Sequence, residues 1–441
     1  MPSELPEDFV WGVSTSAYQI EGAAREGGRG PSIWDTRCKL KGGVGDGSTG
    51  EISCDHYHHL EEDLQALQEL GVSAYRFSVS WPRVLPRGRG RINPEGLDFY
   101  DRLIDGLLER KIEPWLTLYH WDLPQSLDDL GGWTNRDCAG WFADYAVLIA
   151  KRYGDRVKRF ATFNEFSVFT LFGYAIDWAA PGVTDQAAHL RAIHHVNLAH
   201  GAGVDVLRGL VPGASIGAIH NRQKVLPEHG NPQHQEAAEL LDEHWNLAFP
   251  DPQLLGYYPP KIARAIEPYL QAGDLARICR PIDWFGLNHY GPIFAKQDRE
   301  STWGFGWGEN PPDAPTYGVG WPIFPEYFRE ELLSITKRYR LPIYITENGC
   351  GGQDVPGLDG KIVDAHRIQY LRLYIDSMSK AMQEGANVHG YFVWSLLDCF
   401  EWGSGYGPRF GLYHVDFPTQ HRTPKASAQW YADQIRRRSK T

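Results

Sequence analysis

The sequence predicts an α/β fold, a single (β/α)8 TIM barrel with long βα loops spanning residues 1–441, on three observations. Eight short runs rich in β-branched and aromatic residues are spaced along the chain. Amphipathic stretches of helical period lie between most of them, and no Ser/Gly/Pro-rich linker or composition break divides them. A doubly wound open sheet has the same alternation and is the alternative. Against it, no GxGxxG joins a first strand to a helix: Gly27, Gly28 and Gly30 sit in a loop with no strand immediately before them.

In chain order, the runs read as strands are 9–13, 74–81, 113–120, 159–165, 215–221, 283–290, 342–347 and 388–396. Between the first two, Leu60, Leu64 and Leu67 recur at i, i+4 and i+7, with Asp55 ahead as a cap and Gly71 behind as a stop, which predicts an amphipathic helix. Similar helical periods occupy 96–110, 139–153, 187–210, 326–340 and 365–385, each ahead of a strand. The segment 301–321, rich in Gly and aromatics and poor in helix formers, predicts a loop near the barrel mouth.

Composition narrows the function. With 44 Lys+Arg against 55 Asp+Glu the formal net charge is −11, which argues against nucleic acid or an anionic membrane as the main partner. Apolar residues at 42 % and charged residues at 22 % exclude a disordered chain. Aromatics reach 13 %, and their flat apolar faces suit sugar rings as well as cores. The six cysteines, Cys38, Cys54, Cys138, Cys279, Cys350 and Cys399, form no CxxC pair, so they read as free thiols in a reducing compartment. The acidic start, Met1 to Asp8, has no apolar stretch of signal-peptide length, and no 18 uncharged apolar residues run together; the expectation is a soluble, cytoplasmic protein.

In such a barrel the active site forms at the C-terminal ends of the strands. Thr162-Phe163-Asn164-Glu165 closes the fourth run, and Thr346-Glu347-Asn348-Gly349 closes the seventh. A lone glutamate there more often caps a strand or pairs with an arginine. Two on opposite strands, each beside an asparagine, are what glycosidic hydrolysis requires, one to protonate the leaving oxygen and one to attack or to activate water.

The sequence resembles glycoside hydrolase family 1, the β-glucosidases and β-galactosidases, over nearly its whole length. The resemblance rests on Phe9-Val10-Trp11-Gly12, Ser16-Ala17-Tyr18-Gln19-Ile20-Glu21-Gly22, Tyr75-Arg76-Phe77-Ser78-Val79-Ser80-Trp81 and Leu118-Tyr119-His120-Trp121-Asp122-Leu123-Pro124. To these are added the two glutamate motifs and Trp394-Ser395-Leu396-Leu397-Asp398 running to Phe400-Glu401-Trp402. It implies a retaining double displacement with Glu165 as acid/base and Glu347 as nucleophile, without metal or cofactor. Retention would place the two carboxyl groups about 5 to 5.5 Å apart, so that ionised Glu347 keeps Glu165 protonated.

The resemblance further implies that Asn164 bonds the sugar 2-hydroxyl and that Arg76 and Tyr290 hold the nucleophile. Gln19, His120, Trp121, Glu401 and Trp402 would bind the other glycone hydroxyls, with Trp394 stacking on the sugar face and Asn288 and Phe410 completing the substrate site. A carboxylate at Glu401 would repel a 6-phosphate, which favours an unphosphorylated glycone. The implied partners are small β-glucosides and short oligosaccharides. Three departures stand out: Phe166 where Pro usually follows the acid/base, placing an aromatic near the leaving group; His289 where Tyr is common; and Cys399 where Asn is common.

His56, His58 and His59 suggest a metal site only weakly, since no acidic partner occupies a matching position. The basic tail Arg436-Arg437-Arg438-Ser439-Lys440 reads as a solvated helix end. Competing functions are a β-glycosidase specialised for plant secondary-metabolite glucosides or transglycosylation, and a catalytically dead sugar-binding barrel. The second is opposed by the presence of both glutamates. A thioglucosidase is opposed by Glu165, which that branch replaces by Gln.

Overall fold

Each of the eight apolar runs forms a strand in the computed structural model, which describes residues 5–438. The strands are β1 (Val10–Ser14), β2 (Ala74–Ser78), β3 (Glu113–Tyr119), β4 (Arg159–Asn164), β5 (Ser215–Asn221), β6 (Trp284–Asn288), β7 (Ile343–Asn348) and β8 (Val388–Trp394). They pair in sequence order, all parallel, and β8 closes on β1, with Val10 opposite Gly390 and Ser14 opposite Trp394. Closure leaves no edge strand, so every strand is buried on both faces, which is why the runs read as continuously apolar. Three expected strands were too long by two residues or more, the sixth being confined to Trp284–Asn288. The second stops at Ser78, because Pro82 starts the short helix Trp81–Val84, and the eighth stops at Trp394.

The intervening helices are α1 (Leu60–Leu70), α2 (Pro94–Glu109), α3 (Cys138–Tyr153), α4 (Gln186–Leu210), α5 (Pro325–Tyr339), α6 (Ala365–Gln383) and the C-terminal α7 (Ala426–Arg438). Gly71 does end α1, in the left-handed conformation at φ 71°. Asp55 is not its cap. It has φ 49°, its carboxylate engages His58 at 2.6 Å, and the helix begins five residues later. Short helices between Gln235 and Ile278 join β5 to β6.

The loop expected at 301–321 is partly strand. Phe305–Trp307 runs antiparallel to Ile293–Gln297, which pairs with Val225–Pro227, because Phe305 buries itself against His244. Of the basic tail, Arg436 pairs with Asp433 at 2.7 Å on the exposed end of α7, as expected of a solvated helix end. Ser439 and Lys440 lie outside the described residues, as do Met1 to Glu4. Among the described residues, no helix is long and apolar enough to cross a membrane.

The lower barrel is filled by aromatics. Trp115 packs against Trp284, Tyr344 and Phe392 at 5.2, 4.8 and 5.1 Å between ring centres. Glycine makes the room: a Cβ on Gly12 would sit 2.3 Å from the Phe392 ring, and one on Gly217 would sit 2.2 Å from Trp284. This aromatic plug seals one end of the barrel, so a cavity can open only at the other, where the strands' C-terminal ends carry polar residues.

Candidate active site

At that mouth a cavity of about 720 Å³ is lined by both motif glutamates. Glu165 follows β4 at φ 51° and opens the helix Phe166–Tyr174; Glu347 lies within β7. Trp121 (φ 78°) and Trp402 (φ 48°) also hold left-handed backbone conformations that non-glycine residues seldom adopt. Three such residues around one cavity are the pattern of a site whose geometry is imposed by its surroundings.

Glu347 is held at both oxygens. Arg76 Nη1 donates to Oε1 at 2.6 Å and the Tyr290 hydroxyl donates to Oε2 at 2.9 Å. Arg76 extends its fork to Asn164 Oδ1 at 2.6 Å, and its Nε donates to Thr117 at 3.2 Å. Asn288 Nδ2 donates to Asn164 Oδ1 at 3.0 Å and to Glu165 Oε1 at 2.9 Å, and Thr346 donates to Asn288 Oδ1 at 2.7 Å. Glu165 therefore meets a neutral amide where Glu347 meets a guanidinium.

That asymmetry decides where the proton goes. Burial and the charge of Glu347 push the Glu165 carboxyl well above the usual range. Burial also raises Glu347, but Arg76 and Tyr290 oppose it directly, so of the pair Glu165 keeps the proton and Glu347 is the anion. Burial beside that anion keeps the Tyr290 phenol protonated, hence a donor.

The bonding of Asn164 fixes the His120 tautomer. Its Oδ1 accepts from Arg76 and Asn288, so its Nδ2 must donate to His120 Nε2, at 3.1 Å. Burial and Arg76 lower the His120 pKa well below the usual value, keeping the ring neutral. The remaining proton is then on Nδ1, a buried atom without a protein partner, on a ring stacked between Trp394 and Trp402.

Gln19 and Glu401 form the far wall: Gln19 Nε2 donates to Glu401 Oε2 at 3.2 Å while Ser16 donates to Gln19 Oε1 at 2.6 Å. Burial and the charge of Glu347 push the Glu401 carboxyl up to about 8. All the expected site residues except Arg76 and Asn288 line the cavity itself, and those two act from behind it through Glu347, Asn164 and Glu165.

Several expectations need correction. The Trp121 indole N–H donates to the Asn164 carbonyl at 2.9 Å, so it offers a ring and not a donor to the cavity. Phe166 does not face a leaving group; it is buried against Phe163, His220 and Phe249, on the core side of its helix. Each of the three N-terminal histidines has an acidic partner after all, His56 with Asp63 at 2.7 Å, His58 with Asp55, and His59 with Glu62 at 3.1 Å. Asp55 also lies 3.9 Å from His59 Nε2 and Glu26 lies 3.3 Å from His58 Nε2, yet the described residues contain no group of three side chains that could hold a metal ion. His289 is buried, accepting no role at the cavity; its Nδ1 binds the Arg222 carbonyl at 2.7 Å. Cys399 lies behind the far wall, 3.6 Å from Gln19 Nε2 and 3.8 Å from Glu401 Oε2.

The outer half of the cavity was not legible beforehand. Phe172, Trp178, Trp245 and Trp307 form one aromatic side, and Trp321, tilted against Tyr290 at 5.2 Å, lines another part of the rim. Only Trp307 and Trp321 fall in the segment that the sequence places near the mouth. Trp178 lies in a loop with no periodicity to betray it.

A sequence model of glycosyl hydrolase family 1 matches residues 1–440. The chain is 42 % identical to β-glucosidase A of Thermotoga maritima over 438 residues, 98 % of each chain. It is 41 % identical over 455 residues to a bifunctional β-D-glucosidase/β-D-fucosidase of Bifidobacterium breve, covering 97 % of each. The structure is similar to that of the Thermotoga maritima β-glucosidase in complex with glucoimidazole, with a TM-score of 0.94 at 41 % sequence identity and 99 % coverage of both chains.

Proposed function

The chain belongs to glycosyl hydrolase family 1, and on that premise we propose that it is a β-glucosidase releasing terminal non-reducing β-D-glucosyl residues from cellobiose, short oligosaccharides and aryl glucosides. Family 1 enzymes retain anomeric configuration. In this chain Glu347 attacks the anomeric carbon as Glu165 protonates the departing oxygen, giving a covalent glycosyl-enzyme. Glu165, now ionised, then takes a proton from the water that hydrolyses it. The observation that carries this reading is the unequal treatment of the two buried glutamates, a guanidinium and a phenol on one and an amide on the other.

Asn164 meets the 2-hydroxyl, and Gln19, His120 and Glu401 supply hydrogen bonds to the remaining ring hydroxyls. Trp394 gives the sugar a stacking face, with Trp121, Trp402 and Phe410 enclosing it. Glucose and galactose differ only at the 4-hydroxyl, which Glu401 can follow in either orientation. That supports side activity on β-galactosides, and the Bifidobacterium breve relative supports the same for β-fucosides. We take residues 1–441 as one catalytic domain acting in the cytoplasm on small glucosides, including products of cellulose breakdown, without metal, cofactor, nucleic-acid or membrane partner. A panel of p-nitrophenyl β-glycosides, run with and without chelator, tests this: the glucoside should be cleaved in both conditions. Loss of activity with chelator, or preference for a 6-phosphoglucoside, would overturn it.

A further inference from the structure

On the basis of that reading, we propose that Trp178, with Trp307 behind it, is an outer platform for a further sugar ring on the leaving-group side, and that Arg37 and Asp177 are positioning residues that set it. Trp178 is 53 % exposed although it lines the cavity that holds both glutamates. Its inner side is backed by aromatics: Trp307 meets it edge-on at 5.8 Å, Phe172 lies at 5.3 Å, and Trp245 stands perpendicular to Trp307 at 5.9 Å. Such backing fixes a large ring and leaves part of its surface to solvent, an arrangement that costs apolar hydration unless something covers it.

The neighbouring residue explains why the indole stays put. Asp177, at φ 52°, accepts from the Arg37 guanidinium through both its carboxylate Oδ1 and, at 2.9 Å, its carbonyl oxygen. Arg37 also donates from Nε to the Gly43 carbonyl at 3.3 Å, so one nearly buried cation ties the loop after β1 to the loop that carries Trp178. Gly182 leaves the space; a Cβ there would lie 2.6 Å from Arg37 Nη1 and 2.7 Å from Asp177 Oδ1. The first loop is itself anchored across the mouth, by Gly45 N–H to the Gly403 carbonyl at 2.8 Å and by the Tyr406 N–H to Asp46 at 2.9 Å. Three loops of the rim are thus braced against one another, and Trp178 is set in one of them.

An aromatic ring next to the Arg37–Asp177 ion pair, in a cavity also lined by the amides of Asn221, Gln223 and Asn310, matches a sugar ring, which has an apolar face and an equatorial belt of hydroxyls, better than it matches an all-apolar group. The experiment measures kcat and KM for methyl β-D-glucoside, cellobiose and cellotriose, and for a naphthyl β-glucoside, in the wild type, Trp178→Ala, Arg37→Ala and Arg37→Lys, with thermal unfolding of each. For Trp178→Ala, the ratio of the cellotriose KM to the methyl glucoside KM should rise about tenfold, roughly 1.4 kcal/mol. Arg37→Ala should raise the same ratio about threefold, with Arg37→Lys between it and the wild type. An unchanged ratio in Trp178→Ala, or a rise confined to the naphthyl substrate, would overturn the sugar platform. A shift in Trp178→Ala with none in Arg37→Ala would overturn the positioning role. A wild type that cleaves none of the four substrates would instead overturn the β-glucosidase reading on which the inference rests.

Discussion

Arg76 donates to Glu347 and to Asn164 with the same guanidinium, at 2.6 Å each. One buried cation therefore aligns Glu347, the proposed nucleophile, with Asn164, the residue proposed to meet the sugar 2-hydroxyl. Charge develops at both places in an oxocarbenium-like transition state, so the arrangement costs no reorganisation during the reaction.

Glu347→Ala should abolish hydrolysis of activated and unactivated glucosides alike, because the proposed reaction runs through attack by the carboxylate that alanine lacks. Azide or formate can occupy the vacated volume and attack directly, restoring turnover with an inverted, α-configured product. Product anomers can be assigned by proton NMR during turnover. A β-configured product on rescue would contradict Glu347 as nucleophile.

Glu165→Ala should separate substrates by leaving group. Protonation matters little when the departing oxygen is a weak base, so single-turnover glycosylation by 2,4-dinitrophenyl glucoside should be largely kept while alkyl glucosides fail, a difference of about 100-fold or more. Equal losses for both would remove Glu165 from the role of acid.

The barrel and most of the site were legible in the sequence because both are written locally. Strands buried on both faces are continuous apolar runs, and the polar residues that end them, such as Asn164-Glu165 and Glu347-Asn348, mark the mouth. What escaped depends on partners distant in the chain. The Trp121 indole is spent on the Asn164 carbonyl, Phe166 turns inward because Glu165 adopts a left-handed backbone, and Arg37 meets Asp177 across 140 residues. Asp55 misled in the opposite way: a capping residue was present, but a nearer histidine took its side chain.

The protonation of Glu165 should follow the charge of Glu347. The elevated carboxyl pKa means that the acid form, needed for glycosylation, is present at low pH and is lost as pH rises through that pKa, giving the alkaline limb of the rate profile. Glu347→Gln removes the neighbouring anion, so Glu165 should titrate at lower pH, still above an exposed glutamate because burial remains. Carbon-13 NMR of labelled glutamate can follow this without turnover. An unmoved Glu165 titration would mean that burial alone sets it.

Lys425 should be a large contributor to stability. Its Nζ lies 2.6 Å from both Asp354 Oδ2 and Asp398 Oδ1, with all three side chains fully buried. Asp398 also accepts from Arg409 at 2.8 Å and from Gly411 N–H at 2.9 Å, the residues on either side of Phe410. Lys425→Met leaves buried carboxylates short of a cation, and should cost about 3 kcal/mol or more. Denaturant unfolding measures it, and a loss below about 1 kcal/mol would show that Arg409 and Arg367, whose Nη2 donates to Asp354 Oδ2 at 2.5 Å, neutralise the cluster unaided.

Glu401 should set glycone specificity. Burial and Glu347 push its carboxyl up to about 8, so near neutrality it is largely protonated, and a sugar donating from O4 and O6 would draw it toward the carboxylate. A 6-phosphate brings the opposite: a dianion facing Glu347, with Glu401 forced to stay protonated. A charged hydrogen bond contributes roughly 1.5 to 3 kcal/mol, so Glu401→Ser should lower kcat/KM by about 10- to 100-fold for p-nitrophenyl glucoside and galactoside together. Discrimination against the 6-phosphoglucoside should narrow in the same variant. Because the loss falls on both epimers, it separates Glu401 from a residue that reads only the 4-hydroxyl. Unchanged glucoside turnover in Glu401→Ser would take this residue out of the glycone site.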